Sequence, residues 1–426
     1  MMWIRNILIV FCLILTSCAS RRCFVPGPDS IASICLIDQN GFKETISNDD
    51  RLIKYQGVDF CSSQPYQKIF RVYHRDLQGH VKACVNTYYP NGQPKQYLEV
   101  CDGRAFGSYR EWYESGNIKL ETCVLGGEPD ITISSPMTWL YDGEAFSWNE
   151  DGVLIASIPY QKGFLEGEAL YYHDNGELWK RVFYRGGLRE GVSETFTDDG
   201  ILLEEAFYLK GERDGKSKRY WSENQVAAEE VFDKGRLIWS VYFDLEGKKV
   251  SEILDGNGCR AIFGKKRVAE FREYRNGFLD GKIVRFGSDQ KPLEEFHVKD
   301  GLKHGEEIHY FSHPGCRDQK LLSINWFEDK IQGIVKTWYD NGNLESQREM
   351  SQNQRNGLSS AWYRDGSLML IEEYENDKLK NGEYFQKDLS ESVSKVENGE
   401  GEATLYDAEG NFQVRVSYFD GDPLVD

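Results

Sequence analysis

The sequence predicts an all-β protein, an elongated antiparallel meander of about twelve repeated β-hairpins with a 24-residue period. Three observations carry that prediction. Glycines recur at a spacing of 11, 4 and 9 residues; an aromatic residue stands four positions before each turn slot; and apolar residues follow the slot two and eight positions later. A hairpin cannot bury its own apolar face, so a chain built of one such unit must stack it on neighbours.

The first element is an export signal. Arg5 precedes an apolar run from Ile7 to Leu15, and Leu15-Thr16-Ser17-Cys18 fits a bacterial lipobox, in which small residues admit the peptidase and the thiol takes the lipid. The run is too short for a bilayer, which needs about 20 helical residues. Residues 1–17 are thus expected to be a lipoprotein signal peptide, with Cys18 the lipidated residue of a palmitate-bearing anchor; the alternative is an ordinary secretory leader with an incidental cysteine. Two or more acyl chains suffice for stable attachment to the bilayer. Ala19, where an aspartate would resemble an inner-membrane retention signal, favours the outer membrane.

Residues 18–70 read as a tether, with Pro26-Gly27-Pro28, and an N-terminal cap in which Ile34–Ile37 and Asn40-Gly41 suggest a hairpin. Repeat arrays need capped ends to avoid edge-to-edge association. The array itself is expected over residues 71–426.

Its grammar is clearest from Glu166 to Gly191. Asn175-Gly176 predicts a type I′ hairpin, which needs positive φ at both central residues. On the outgoing strand Leu178, Lys180, Val182 and Tyr184 share one face and Trp179, Arg181 and Phe183 the other. Gly187 and Gly191 then turn the chain back. The spacing repeats through Gly200, Gly211 and Gly215 to position 224, where Asn224 stands, and it fits Gly92, Gly103, Gly107 and Gly116 upstream and Gly333, Gly342, Gly357 and Gly366 downstream. The aromatic before the slot is Tyr88, Trp112, Trp148, Tyr172, Phe196, Tyr220, Phe286, Trp338, Trp362 or Tyr406. Residues 128–147, 248–276 and 312–320 depart from the pattern, and an individual function is expected in these least repetitive places.

The aromatic–aromatic–x–x–Gly turn, the apolar residue two later and the closing Gly-x-x-x-Gly resemble the MORN-repeat variant, the module of the YwqK-type antitoxin proteins, from about Tyr73 to Gly421. The resemblance implies an elongated β-hairpin sheet used for binding or scaffolding, and it carries over no catalytic residue.

Composition bounds the partners. The net charge is −18, and removal of Arg5 with the leader makes it more negative. Such a chain repels phosphate backbones and anionic headgroups, which argues against nucleic acid and acidic lipid. Lys265-Lys266-Arg267 reads as a solvated loop. Eight cysteines remain after Cys12 and Cys18: Cys23, Cys35, Cys61, Cys84, Cys101, Cys123, Cys259 and Cys316. An even number in an exported chain permits disulfides. Cys84 is expected opposite Glu99, which leaves a Cys84–Cys101 bridge unfavoured, and Cys101 and Cys123 lie two strands apart, too far for a bond. No CxxC pair points to a metal.

No Gly-x-Ser-x-Gly, His-Glu-x-x-His or phosphate-binding loop is present. His304, Glu306, Glu307 and His309 form the histidine–carboxylate cluster of the sequence, but alternation sends the two histidines to opposite faces. No cofactor and no metal is expected. Two function classes follow. One is a non-enzymatic, lipid-anchored envelope protein whose sheet binds a protein partner, an antitoxin or immunity role being one form of it. The other is carbohydrate or cell-wall binding, in which Trp112, Trp148, Trp338 and Trp362 stack on sugar rings.

Overall fold

A computed structural model describes residues 31–264, 266–313 and 315–424. Cys18, the rest of the lipobox, Cys23 and Lys265 lie outside the described residues. The protein is all-β: 35 strands follow one another as an open antiparallel meander of hairpins, with one four-residue α-helix and two 3₁₀ turns among the described residues. The chain divides into two compact units, one reaching Leu188 and including Asp198–Gly200, the other formed by Arg189–Thr197 and the residues from Ile201 onward.

The first unit begins with β1 (Ile31–Asp38), β2 (Lys43–Ile46) and α1 (Asp49–Leu52), followed by β3 (Gln67–Arg75), β4 (Val81–Tyr88), β5 (Pro94–Cys101), β6 (Arg104–Trp112), β7 (Ile118–Val124) and β8 (Tyr141–Trp148). β1 pairs with both β2 and β3, so the sheet ends on the short strand β2, a common way of blunting an edge. Asn48 caps α1 by accepting the Asp50 N–H at 2.9 Å. The cap then folds over one face of β3–β5, where Phe70, Val72, Cys84, Tyr88 and Tyr97 meet Ile46, Leu52 and Phe60. The Phe60 and Phe70 rings meet edge to face at 5.3 Å, and the Tyr88 hydroxyl donates to the Phe60 carbonyl at 2.6 Å.

The other face of the same strands carries a second core of Ala83, Val85, Leu98, Val100, Ala105, Tyr109 and Val124, closed by Trp139. Residues 83–86 are therefore all buried, since β4 is covered on both sides. A half-buried strand would alternate instead.

Of the two kinds of turn, the one at Asn175-Gly176 differs from the type I′ expectation. At Asn175-Gly176 the Gly176 N–H donates to the His173 carbonyl at 2.9 Å and the His173 N–H to the Glu177 carbonyl at 2.8 Å. Gly176 has φ +87°, while Asn175 is not among the residues at positive φ. This is a type I turn followed by a left-handed glycine and a one-residue bulge, visible as a register shift between Tyr171 and Tyr172. In the matching turn after β4, Pro90 follows Tyr89, and proline suits the second position of a type I turn and not the positive φ of a type I′ turn. The type I′ conformation occurs half a repeat away, at Gly186-Gly187 (φ +55° and +83°) and at Lys162-Gly163 (φ +49° and +89°). Because the extra loop residue and the bulge offset each other, the register matches that of a two-residue loop. Cys84 does lie opposite Glu99.

In the second unit the same hairpins repeat from Leu202 to Phe419. Several bury a central pair seven residues before and six after the turn slot: Ser217 opposite Glu230, Ser240 opposite Ile253, and Ile283 opposite Phe296. Among the residues eight after the slot, Phe232, Val298 and Tyr374 are buried here. The stretch 248–276, irregular in sequence, holds three paired strands, Lys249–Leu254, Asn257–Phe263 and Val268–Arg275.

Candidate functional site

The most individual feature of the first unit is the segment between β7 and β8. Leu125 and Leu140 begin it as a ladder, with the Leu125 N–H donating to the Leu140 carbonyl at 2.8 Å. The chain then leaves the sheet and folds back over the face of β3–β6. Three contacts brace it. Trp139 is buried, stacks edge-on against Tyr109 at 4.5 Å, and donates its indole N–H to the Glu128 carbonyl at 2.9 Å. The Arg71 guanidinium donates from Nη2 to both carboxylate oxygens of Asp130 at 2.8 Å, tying the segment to β3. Ser135, fully buried, donates to Glu128 Oε2 at 2.8 Å.

Between the braced segment and the sheet lies an open cleft of about 740 Å³, lined by Lys68, Ile69, Thr87, Lys95 and Gln96 from the strands and by Ile131–Ser134 from the segment. Its floor is a hydrogen-bonded row: Thr87 Oγ1 to Gln96 Oε1 at 3.3 Å, Gln96 Nε2 to the Tyr109 hydroxyl at 3.0 Å, and that hydroxyl to Glu111. Burial, with the Glu111 carboxylate next to it, holds the Tyr109 phenol far above its ordinary range, so it stays a donor. Two cations stand at the rim. Lys68 is exposed, and the Lys95 ammonium lies 5.5 Å from the centre of the Tyr89 ring. Above them Ile133 is 99% exposed and Met137 87%. The firmly held loop thus presents two large apolar side chains to water, one of them, Ile133, at the cleft itself.

The four tryptophans singled out in the sequence are half-buried. Each faces the apolar residue two past its turn slot: Trp112 opposite Ile118, Trp148 opposite Leu154, Trp338 opposite Leu344, Trp362 opposite Leu368. Their backbone carbonyls are also used. Those of Trp112, Trp148 and Trp362 accept the hydroxyls of Tyr89, Tyr113 and Tyr339 at 2.9, 2.9 and 2.8 Å. Trp179 and Trp239 are exposed, and the turn-slot rule does not single them out.

The histidine–carboxylate cluster separates as alternation requires. His304 stacks on Phe327 at 5.1 Å, and Glu306 accepts from Ser323 at 2.7 Å. Glu307 and His309 share the other face, with Nε2 of His309 at 2.7 Å from Glu307, and Glu294 joins them from the adjacent strand, a partner invisible in a linear reading. Burial opposes ionisation of Glu307, but hydrogen bonds from Lys303 and His309 outweigh it and lower its pKa. Lys303 thereby occupies the carboxylate that a cation would need. Cys35, Cys84, Cys101, Cys259 and Cys316 are free thiols, and Cys61 is disulfide-bonded. Cys316 lies with Sγ 2.9 Å from His313 Nε2, within the irregular stretch 312–320.

An open meander of β-hairpins with a braced cleft defines a repeat protein, and comparison with known families agrees. Residues 165–185 and 331–352 match the MORN repeat variant. No curated protein matches the chain. Among solved structures, the crystal structure of TcdB2-TccC3 without its hypervariable C-terminal region aligns over 92% of this chain at 9% identity, with a TM-score of 0.14. This chain covers 26% of that one. Among the described residues no helix is long and apolar enough to cross a membrane.

Proposed function

We propose that this is a non-enzymatic protein of the bacterial envelope, lipid-anchored through Cys18, whose repeat sheet is a binding and scaffolding surface for a protein partner. The observation that carries the reading is the braced segment over the cleft, with Ile133 and Met137 in water above Lys68 and Lys95. An open cleft of this size suits a protruding segment of a folded partner, since small molecules favour sites that enclose most of their surface. Apolar crest, cationic rim and hydrogen-bonding floor together fit a segment with apolar and acidic side chains. The Cys61 disulfide is in keeping with an exported chain, because such bonds persist in oxidising compartments. An immunity role against a toxin would be one use of such a surface.

The test is crosslinking and pull-down from envelopes with the native protein, Cys18→Ala and Ile133→Asp. One protein recovered with the native form, lost with Ile133→Asp and displaced from the membrane fraction with Cys18→Ala is the expected result. Recovery unchanged by Ile133→Asp, or co-purification of polysaccharide alone, would count against the cleft.

A further inference from the structure

The second unit holds a polar niche built around a buried carboxylate. It has a volume of about 150 Å³ and lies over the strands Leu202–Leu209 to Asn257–Phe263. Its centre is Glu230, buried at 7% exposure and satisfied on every side: Oε1 accepts the Tyr242 hydroxyl at 2.7 Å and Arg260 Nε at 2.8 Å, and Oε2 accepts Arg260 Nη2 at 3.1 Å and Arg213 Nη1 at 3.2 Å. Arg213 reaches onward to Glu204 at 2.5 Å. The two arginines also flank the Phe232 ring, at 5.4 and 5.9 Å from its centre. Each of these two guanidiniums therefore has its carboxylate.

Arg219 does not. It stands on the same face, opposite Glu204 on one side and Ala228 on the other, and its guanidinium makes no hydrogen bond or ion pair among the described residues. Its Nε is buried with no acceptor. The niche thus holds three permanent positive charges against two carboxylates, in a chain whose net charge is −18. A buried donor left unmade is costly, and a planar guanidinium beside a cavity is shaped for a planar anion.

We infer that this niche binds a carboxylate, with Arg219 as its principal ligand and the surplus positive charge as its electrostatic counterpart. A carboxylate fits better than a phosphate on two counts. The surplus is a single charge, which a monoanion neutralises, and a carboxylate matches the two-pronged guanidinium edge in the plane. At about 30 Å³ per water the niche has room for a group of roughly five heavy atoms. The carboxylate has two sources, a small organic acid or the acidic side chain or terminus of a polypeptide, and the same chemistry serves both.

The experiment is thermal unfolding of the full mature protein in sodium acetate against sodium chloride at equal ionic strength, and with acetylated triglycine bearing a free carboxylate against its amide. Native protein is expected to gain stability with acetate or the free peptide beyond the chloride or amide control. Arg219→Gln is expected to weaken that binding by at least about tenfold while unfolding no earlier than wild type without ligand, and Arg219→Lys to bind in between. Acetate effective and the peptide not assigns a small acid; the peptide more effective than acetate assigns a polypeptide. Equal responses to carboxylate and control, or a carboxylate response retained in Arg219→Gln, overturn the inference.

Discussion

Gly107 has φ +119°, and a Cβ there would lie 2.1 Å from Glu99 Oε2. The reason is a bulge: the ladder between β5 and β6 slips beside Glu99, and the Glu99 carboxylate turns in to accept the Ser108 N–H at 2.8 Å. Glu273 with Gly281, and Glu349 with Gly357, repeat the arrangement. The second glycine of Gly-x-x-x-Gly was legible as a repeat mark, but the glutamate it makes room for was not, because the pair is joined across strands. Gly107→Ala is expected to cost about 1–3 kcal/mol in urea unfolding, and Gly103→Ala less, since nothing lies near its Cβ. At Asn175 the side chain, not the backbone, is what the turn uses: Nδ2 donates to the Asp198 carbonyl at 2.7 Å and Oδ1 accepts the Glu177 N–H at 3.0 Å. Asn175→Gly, neutral in a type I′ turn, is expected to lower stability by about 0.5–1.5 kcal/mol. Burial pushes the Cys84 thiol up to about 12. In the unfolded chain it ionises near 8.5, so its contribution is intact below about pH 8.5 and is lost as pH rises toward 12. Iodoacetamide at pH 8 should therefore label Cys84 only under unfolding conditions, as mass spectrometry of the peptide would report; prompt labelling of native protein would contradict its burial.

At the scale of the element, the segment between β7 and β8 behaves as a braced arm. Trp139→Ala removes its buried anchor and is expected to cost about 3–5 kcal/mol, whereas Asp130→Asn, at a half-exposed ion pair, should cost no more than about 1 kcal/mol yet loosen the arm. Proteolysis between 128 and 138 should accelerate in Asp130→Asn; unchanged cleavage would mean that Arg71 does not hold the arm. Trp112→Ala, by contrast, is expected to lower the unfolding midpoint through its loss from the core under the cap. That this stretch was irregular could be read from the broken spacing at 128–147. Which residues would line the cleft could not, since Lys68 and Lys95 look like ordinary strand lysines until the arm lies across them. The strands themselves were legible because turn slots, aromatics and alternation all agree on one register.

Across the whole molecule the charge of −18 is spread over both units and paired in part by surface arginines and lysines, many of them exposed and so worth little singly. The delipidated protein is expected to bind vesicles rich in anionic lipid no better than neutral ones at low salt, as sedimentation would measure; strong salt-sensitive binding would show a cationic surface that the charge balance does not predict. The niche at Arg219 escaped a linear reading for the same reason as the Glu99 bulge. Its charges come from four strands, and neither periodicity nor composition sets apart the arginine that lacks a partner.

The two rows of turns have a consequence for how such a chain can change its length. In one row Tyr and Asn side chains reach to the next turn 23 residues on, as from Tyr89 to Trp112 and from Asn91 to Glu114. Where the arm intervenes the reach from Tyr113 to Trp148 is 35 residues, yet the bond is made at the same 2.9 Å. The added residues are thus absorbed wholly by the opposite row. At the arm one row acts as a spine that keeps count while the other accepts new sequence; in the second unit the counting row takes up extra residues as well, at 311–319, where Tyr310 pairs with Lys320. Gene duplication can then lengthen the protein only by an even number of strands, whereas novelty can enter at any loop of the permissive side without disturbing the count.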